Sequence, residues 1–337
     1  MNKRERIIHA LTHDNPDITP WSFDLTQDMR AKLIEYTGDP NITDTFENHI
    51  LQCNIGIEHE LYDRAGYFKD YFNVVWNRTV DKDIGIVDEY LLKSDDISKI
   101  AGVIPPIPKE NIAQLMEKLV TNKQDRFSII GIGFSLFERA WTLRGMDHLL
   151  MDMVLNPDFV DALLDSITDW NIACINETFA WEYDGFYFGD DWGMQKGLIM
   201  GPKLWRRFIK PRLKRMYDAV HAQGKYVLQH SCGDISEVYP DLVEIGLNAH
   251  QTFQPEIYDI KEIKKQYFGK LAFWGGISTQ QMLPYASVDE VIEETKRIID
   301  IMGKGGGLIV APTHSVPGDV PPENIVAMLK TFKEQCE

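Results

Sequence analysis

Cysteine is scarce: Cys53, Cys174, Cys232 and Cys336 are the 4 in 337 residues, and no two are spaced as CxxC. That excludes a disulfide framework and a four-cysteine structural zinc site, and makes a reducing cytoplasm the expected compartment. No apolar run approaches the roughly eighteen residues of a membrane span. The opening Met1–Arg6 is charged and leads into an amphipathic helix without an apolar core, so no secretory signal is expected. Basic residues are outnumbered, 35 Lys and Arg against 51 Asp and Glu, for a net charge of −16. A nucleic-acid partner would be repelled, and no basic stripe offsets this. A GxGxxG after the first strand is missing, which weakens an open dinucleotide-binding sheet. Low-complexity tracts and Ser/Gly linkers are missing too, so residues 1–337 read as one domain.

What is present is alternation. Short apolar runs at 127–134, 185–191, 225–230, 247–251, 271–276 and 307–311 are each followed by a helical stretch. The helices carry their own punctuation. Asn156-Pro157 opens one with a proline at the first helical position. Gly201-Pro202 opens another that stops at Gly224, with Pro211 inside it as an expected kink. Ser287-x-x-Glu290 is a capping box. Two further strands are expected at 19–24 and 71–76. Eight parallel strands with intervening helices close into a (β/α)8 TIM barrel. Ahead of it lies an N-terminal helical extension. The poorly periodic stretch 34–122 reads as an insertion covering the barrel mouth.

Active sites of such barrels lie at the C-terminal ends of the strands. The polar residues expected there are Asp24, Asp190, Asp191, His230, Cys232, His250, Gln251, Trp274 and His314. His230 and Cys232 are two apart, so on an extended chain both side chains leave on the same side and can share one ion. Imidazole nitrogen and thiolate sulfur suit Zn2+. His314, just past the last strand, is the best-placed third ligand. Three protein ligands and an open position is the pattern of a catalytic zinc. Asp190 and Asp191 point to opposite faces, so only one can enter the site. The readings open for them are metal ligation, acid–base catalysis and capping of the following helix. Asp24, Gln251 and Trp274 are candidate substrate contacts. His250 is read as a packing or substrate-contact residue, and His221 as a solvated helix position. Gly305-Gly306-Gly307 precedes a strand and opens no helix, so it is no phosphate cradle.

These residues resemble those of the uroporphyrinogen decarboxylase superfamily, and within it the zinc-dependent cobalamin methyltransferases. The resemblance runs from Lys3-Arg4-Glu5-Arg6 through Tyr71–Trp76, Leu143-Arg144-Gly145 and Gly189-Asp190-Asp191-Trp192-Gly193. It is strongest at His230-Ser231-Cys232-Gly233, Trp274-Gly275-Gly276-Ile277 and Pro321-Pro322-Glu323-Asn324-Ile325. It implies a TIM barrel and zinc held by the His-x-Cys pair plus a cysteine after the last strand. In place of that cysteine this chain has His314. The decarboxylase branch carries an Arg-Gln-Ala-Gly-Arg segment after the first strand to grip substrate carboxylates. Here Phe23–Asp28 has no arginine and carries carboxylates instead, which would repel a polyanionic tetrapyrrole.

The resemblance therefore implies a methyltransferase working between a small methylated substrate or thiol and a corrinoid carried by a partner protein. Its expected metal ligands are His230, Cys232 and His314, with Asp190 or Asp191 as acid–base or orienting group. One alternative is a metal-free lyase acting on another carboxylate, with Arg139 and Arg144 as anion contacts. A second is a non-catalytic corrinoid- or tetrapyrrole-binding protein.

Overall fold

The computed structural model describes residues 1–56, 58–61 and 63–335. Seven parallel strands form one curled sheet. They are β1 (Ile50–Ile55), β2 (Phe127–Ile132), β3 (Gly185–Gly189), β4 (Tyr226–His230), β5 (Ala249–Phe253), β6 (Ala272–Ile277) and β7 (Leu308–Pro312). Every residue of β2, β6 and β7 is buried. Strands covered on both faces read as continuous apolar runs, which is why these stood out in the sequence.

An eighth stave closes the ring. Trp21 bridges Val310 of β7 in parallel. The Val310 amide donates to Pro20 O at 2.8 Å, and the His49 amide donates to Trp21 O at 2.9 Å, next to β1. Pro20 has no N–H to give, so the stave is held by single bridges instead of a ladder. The expected first strand is thus in place, and the fold is a TIM barrel.

The expected second strand is not where the sequence suggested. Val75–Asn77 pairs antiparallel with Tyr67–Lys69 and Ile86–Val87, and His59–Glu60 completes a separate four-stranded sheet. The second barrel strand is β1, within the stretch read as insertion, and it pairs with β2 from Ile50–Phe127 to Ile55–Ile132. Gln52 and Asn54 interrupt its apolar pattern because they line a cavity in the barrel mouth. Helix Lys109–Asn122 follows as the barrel's own crossover, so the insertion shrinks to residues 56–108.

The helix signals hold. Ser287 and Glu290 make a reciprocal capping box. Pro157 sits in the first turn of helix Pro157–Glu177. Pro211 cannot donate to the preceding turn, and Trp205–Ile209 just before it adopts a π-helical turn.

Candidate active site

The site is built on the ends of β3, β4 and β5 and on the loop after β7. His230 ends β4, and Cys232 follows two residues later. The loop between is pinned from several sides. The Ser231 amide donates to Gln251 O, and the Asp234 amide to Met194 O at 2.7 Å. The Gly233 amide donates to Gln254 Oε1 at 2.9 Å, and Tyr258 Oη donates to Gly233 O at 3.0 Å. Gly193, in the loop after β3, crosses this loop so closely that a Cβ there would lie 2.4 Å from Cys232 O. Gly233 has φ +76° and faces Gly193 just as tightly, so both positions require glycine.

The result is a tight donor cluster. One ligand atom each of His230, Cys232 and His314 lies within 4.8 Å of the others. Cys232 Sγ is 3.6 Å from His230 Nε2. A tetrahedral zinc with ordinary Zn–N and Zn–S bonds gives an N···S edge of about 3.5 Å. The residues therefore fit the ion. The rings of His230 and His314 are 5.7 Å apart. His314 is the most exposed of the three.

A second layer orients the first. His230 Nδ1–H donates to Gln251 Oε1, which also accepts from Tyr187 Oη at 2.9 Å. That orients the ring so that Nε2, once it has lost its proton, presents its lone pair toward Cys232 and His314. Gln251, expected among substrate contacts, lines the mouth cavity and also positions the His230 ring. Trp274 Nε1 donates to Ser22 O at 2.8 Å, and its ring is cavity wall. Asp24 lines the same cavity of about 430 Å3, with an exposed side chain near Arg30.

The two adjacent carboxylates part company. Asp190 is fully buried and accepts the amides of Leu136 at 3.2 Å, Phe137 at 3.1 Å and Glu138 at 2.7 Å, plus Trp192 Nε1 at 2.5 Å. It caps helix Phe137–Arg144, which precedes it in the chain, and not the helix that follows it as expected, so its carboxylate is occupied by four donors. Burial lifts its pKa to about 6, against the pull of the four donors. Asp191 turns the other way. Its Oδ1 is 3.2 Å from His230 Nε2 and accepts the Cys232 amide at 2.8 Å. Burial pushes its pKa up, but His230 and the Cys232 contacts outweigh that and hold it at about 2. Burial opposes charge on His230, yet Tyr187, Asp191 and Cys232 raise its pKa well above the usual imidazole value. Before a metal binds, Asp191 and His230 are an ion pair.

Glu138 escaped the sequence reading. Burial raises its pKa well above the carboxylate range, and the charges of Asp191 and Asp190 add to the rise. Its place in the first turn after a barrel strand was the available signal. His250 is buried. Its Nε2–H donates to Ser231 O at 3.0 Å and its Nδ1 accepts from Tyr239 Oη at 2.9 Å, so it is a neutral prop beneath the loop. His221 contacts the carbonyls of Lys225 and Gly246 at a helix end. Arg144 is buried, its charge paired with Asp152 at 2.8 Å and its Nη1 donating to Leu92 O at 3.1 Å.

The family model for uroporphyrinogen decarboxylase (URO-D) matches residues 76–335. The chain belongs to the URO-D family. A curated relative, the uroporphyrinogen decarboxylase of Shewanella loihica, is 21% identical, the match covering 98% of this chain and 97% of that one. Among solved structures, a methyltransferase from Methanosarcina mazei superposes with a TM-score of 0.74 at 17% identity, over 100% of both chains. That likeness is one of fold. This URO-D family member thus belongs to an enzyme family, and none of its described helices is long and apolar enough to cross a membrane.

Proposed function

We propose that this URO-D family enzyme moves a methyl group between a small methylated substrate or thiol and a corrinoid protein, with zinc held by His230, Cys232 and His314. The observation that carries this reading is the convergence of the three ligand atoms within 4.8 Å at the barrel mouth. Zinc bound there supplies Lewis acidity to a methyl-bearing heteroatom, or lowers the pKa of a thiol.

The chain's own residues have separable tasks. Tyr187 and Gln251 hold the His230 ring so that Nε2 faces the site. Asp191 keeps the Cys232 amide in place and holds the His230 proton until a cation displaces it. When the carbon–heteroatom bond of the donor breaks, its methyl carbon passes to the corrinoid and the heteroatom keeps the bonding pair. That atom then needs a proton. We assign that role to Glu138, whose pKa burial and the charges of Asp191 and Asp190 raise well above the usual carboxylate value. With two imidazoles and one thiolate the site carries one more positive charge than a two-cysteine site. That favours polarising a methyl donor over activating a thiolate acceptor.

The test is methyl transfer from candidate donors to cob(I)alamin by zinc-loaded protein, followed as methylcob(III)alamin. Activity that appears with zinc and disappears in Cys232→Ser supports the reading; equal activity in chelated protein sinks it. The match to a decarboxylase favours a second reading, a lyase on another carboxylate. It requires chelator-resistant release of CO2. Phe23–Asp28 lacks the gripping arginines, and the charge of Arg139 is paired with Asp70.

A further inference from the structure

Beside the metal cluster lies a second chamber of about 530 Å3, between the antiparallel sheet and the mouth of the barrel. Its size is that of a small-molecule site. Its walls are aromatic: Tyr71, Trp76, Phe134, Trp170 and Tyr187. Tyr187 and Asn54 also line the cavity that holds His314, so the two spaces share a wall. The Phe134 ring reaches the chamber from a backbone at φ +51°, a conformation uncommon for a bulky residue, and meets the Trp76 ring at 5.1 Å.

The charges around the chamber are mostly committed. Asp70 accepts the Val74 amide at 3.0 Å, Trp76 Nε1 at 3.2 Å and Arg139 Nη1 at 2.7 Å. Glu58 takes Arg78 through two bonds, at 2.9 and 3.0 Å. Asp83 is exposed at the outer lip. Arg139 is different: its side chain is 9% exposed, and its buried Nε–H has no partner among the described residues. A cationic ligand would meet two guanidinium groups and no uncommitted inner carboxylate. A flat ring with an acceptor would meet aromatic faces and an unused donor.

We infer that this chamber binds a planar aromatic ring bearing one anionic or acceptor group, and that Arg139 and Phe134 select it. That the ring is the part of the methyl donor left behind rests on the proposed function; that it binds does not. The protein, metal-free and zinc-loaded, is titrated with 3-methoxybenzoate, 3-hydroxybenzoate, anisole, cyclohexanecarboxylate and choline, reading tryptophan fluorescence and heat. Both benzoates are expected to saturate in both metal states, at least tenfold more tightly than cyclohexanecarboxylate, with no response to choline. Phe134→Ala should weaken the benzoates at least tenfold. Arg139→Lys, which keeps a charge for Asp70, should narrow the preference for a benzoate over neutral anisole. Choline binding more tightly than the benzoates, equal binding of planar and puckered acids, or no arene binding to folded wild-type protein each overturns the inference, and none needs a variant. Arene binding without methyl transfer would overturn only the proposed function.

Discussion

The barrel mouth has two unlike halves. The metal half sits on β3, β4 and β5 and the short loops that follow them, and nearly every polar group in it has a partner. The chamber half is roofed by the insertion at 56–108, is walled by aromatic rings, and leaves the Arg139 Nε–H without a partner among the described residues. The difference separates two tasks. A site suited to hold an ion in fixed geometry is built from short loops on barrel strands, where Gly193 and Gly233 cross so closely that a Cβ added at either would lie 2.4 Å from the facing backbone. A chamber suited to a flat organic group takes part of its wall, Tyr71 and Trp76, from the insertion, which can vary without disturbing the barrel, while Phe134, Arg139, Trp170 and Tyr187 come from the barrel itself.

The largest expected effect breaks the metal half outright. Cys232→Ser and His230→Ala should each reduce bound zinc from one per chain to well under a tenth, because two remaining ligands do not make a stable site. Metal analysis after zinc loading checks this, and stoichiometric zinc in both variants would place the ion elsewhere. Next is Asp190→Ala, which strands three helix amides and an indole N–H. It should cost about 3 kcal/mol in urea unfolding and leave zinc stoichiometry intact in the folded protein. A large loss of activity at unchanged stability would instead make Asp190 catalytic. Gln251→Leu, which frees the His230 ring, should weaken zinc by about 10- to 100-fold in a chelator competition, with the melting temperature nearly unchanged. No change in affinity would show that Gln251 does not orient the ligand.

The metal half was legible and the chamber half was not, for physical reasons. His230 and Cys232 announce themselves through period-two spacing at a strand end, and β2, β6 and β7 through unbroken apolar runs. β1 was hidden because Gln52 and Asn54 turn into the mouth and break its apolar pattern. The strand-like Tyr71–Trp76 run feeds the roof sheet and chamber wall instead of the barrel, so period alone could not assign it. The division between Asp190 and Asp191 was half legible. Alternation said that one must turn away, but only the folded chain brings the amides of Leu136, Phe137 and Glu138 to Asp190. Glu138 was silent because its effect comes from burial and from acidic neighbours more than fifty residues away in the chain.

Smaller effects follow from the Asp191–His230 pair. A cation must displace the His230 proton, so zinc affinity should fall about tenfold per pH unit for each proton displaced as pH drops from about 8 to 6. An affinity flat across that range would contradict the pairing. In metal-free protein the pair also adds stability. The Asp191 share is present above its ordinary value of 3.8 and is lost as pH falls toward about 2. The His230 share is present below 6.5 and is lost as pH rises through its elevated value. Asp191→Asn should therefore lower the melting temperature most between those two ordinary values, and a uniform drop at all pH values would point to packing instead.

The most direct test of the central claim is X-ray absorption at the zinc edge on loaded wild-type protein. The expected spectrum has one sulfur at about 2.3 Å and two imidazole nitrogens at about 2.0–2.1 Å, with one lighter ligand from solvent or substrate. Folded protein that takes up no zinc, or a zinc shell without sulfur, would contradict the account.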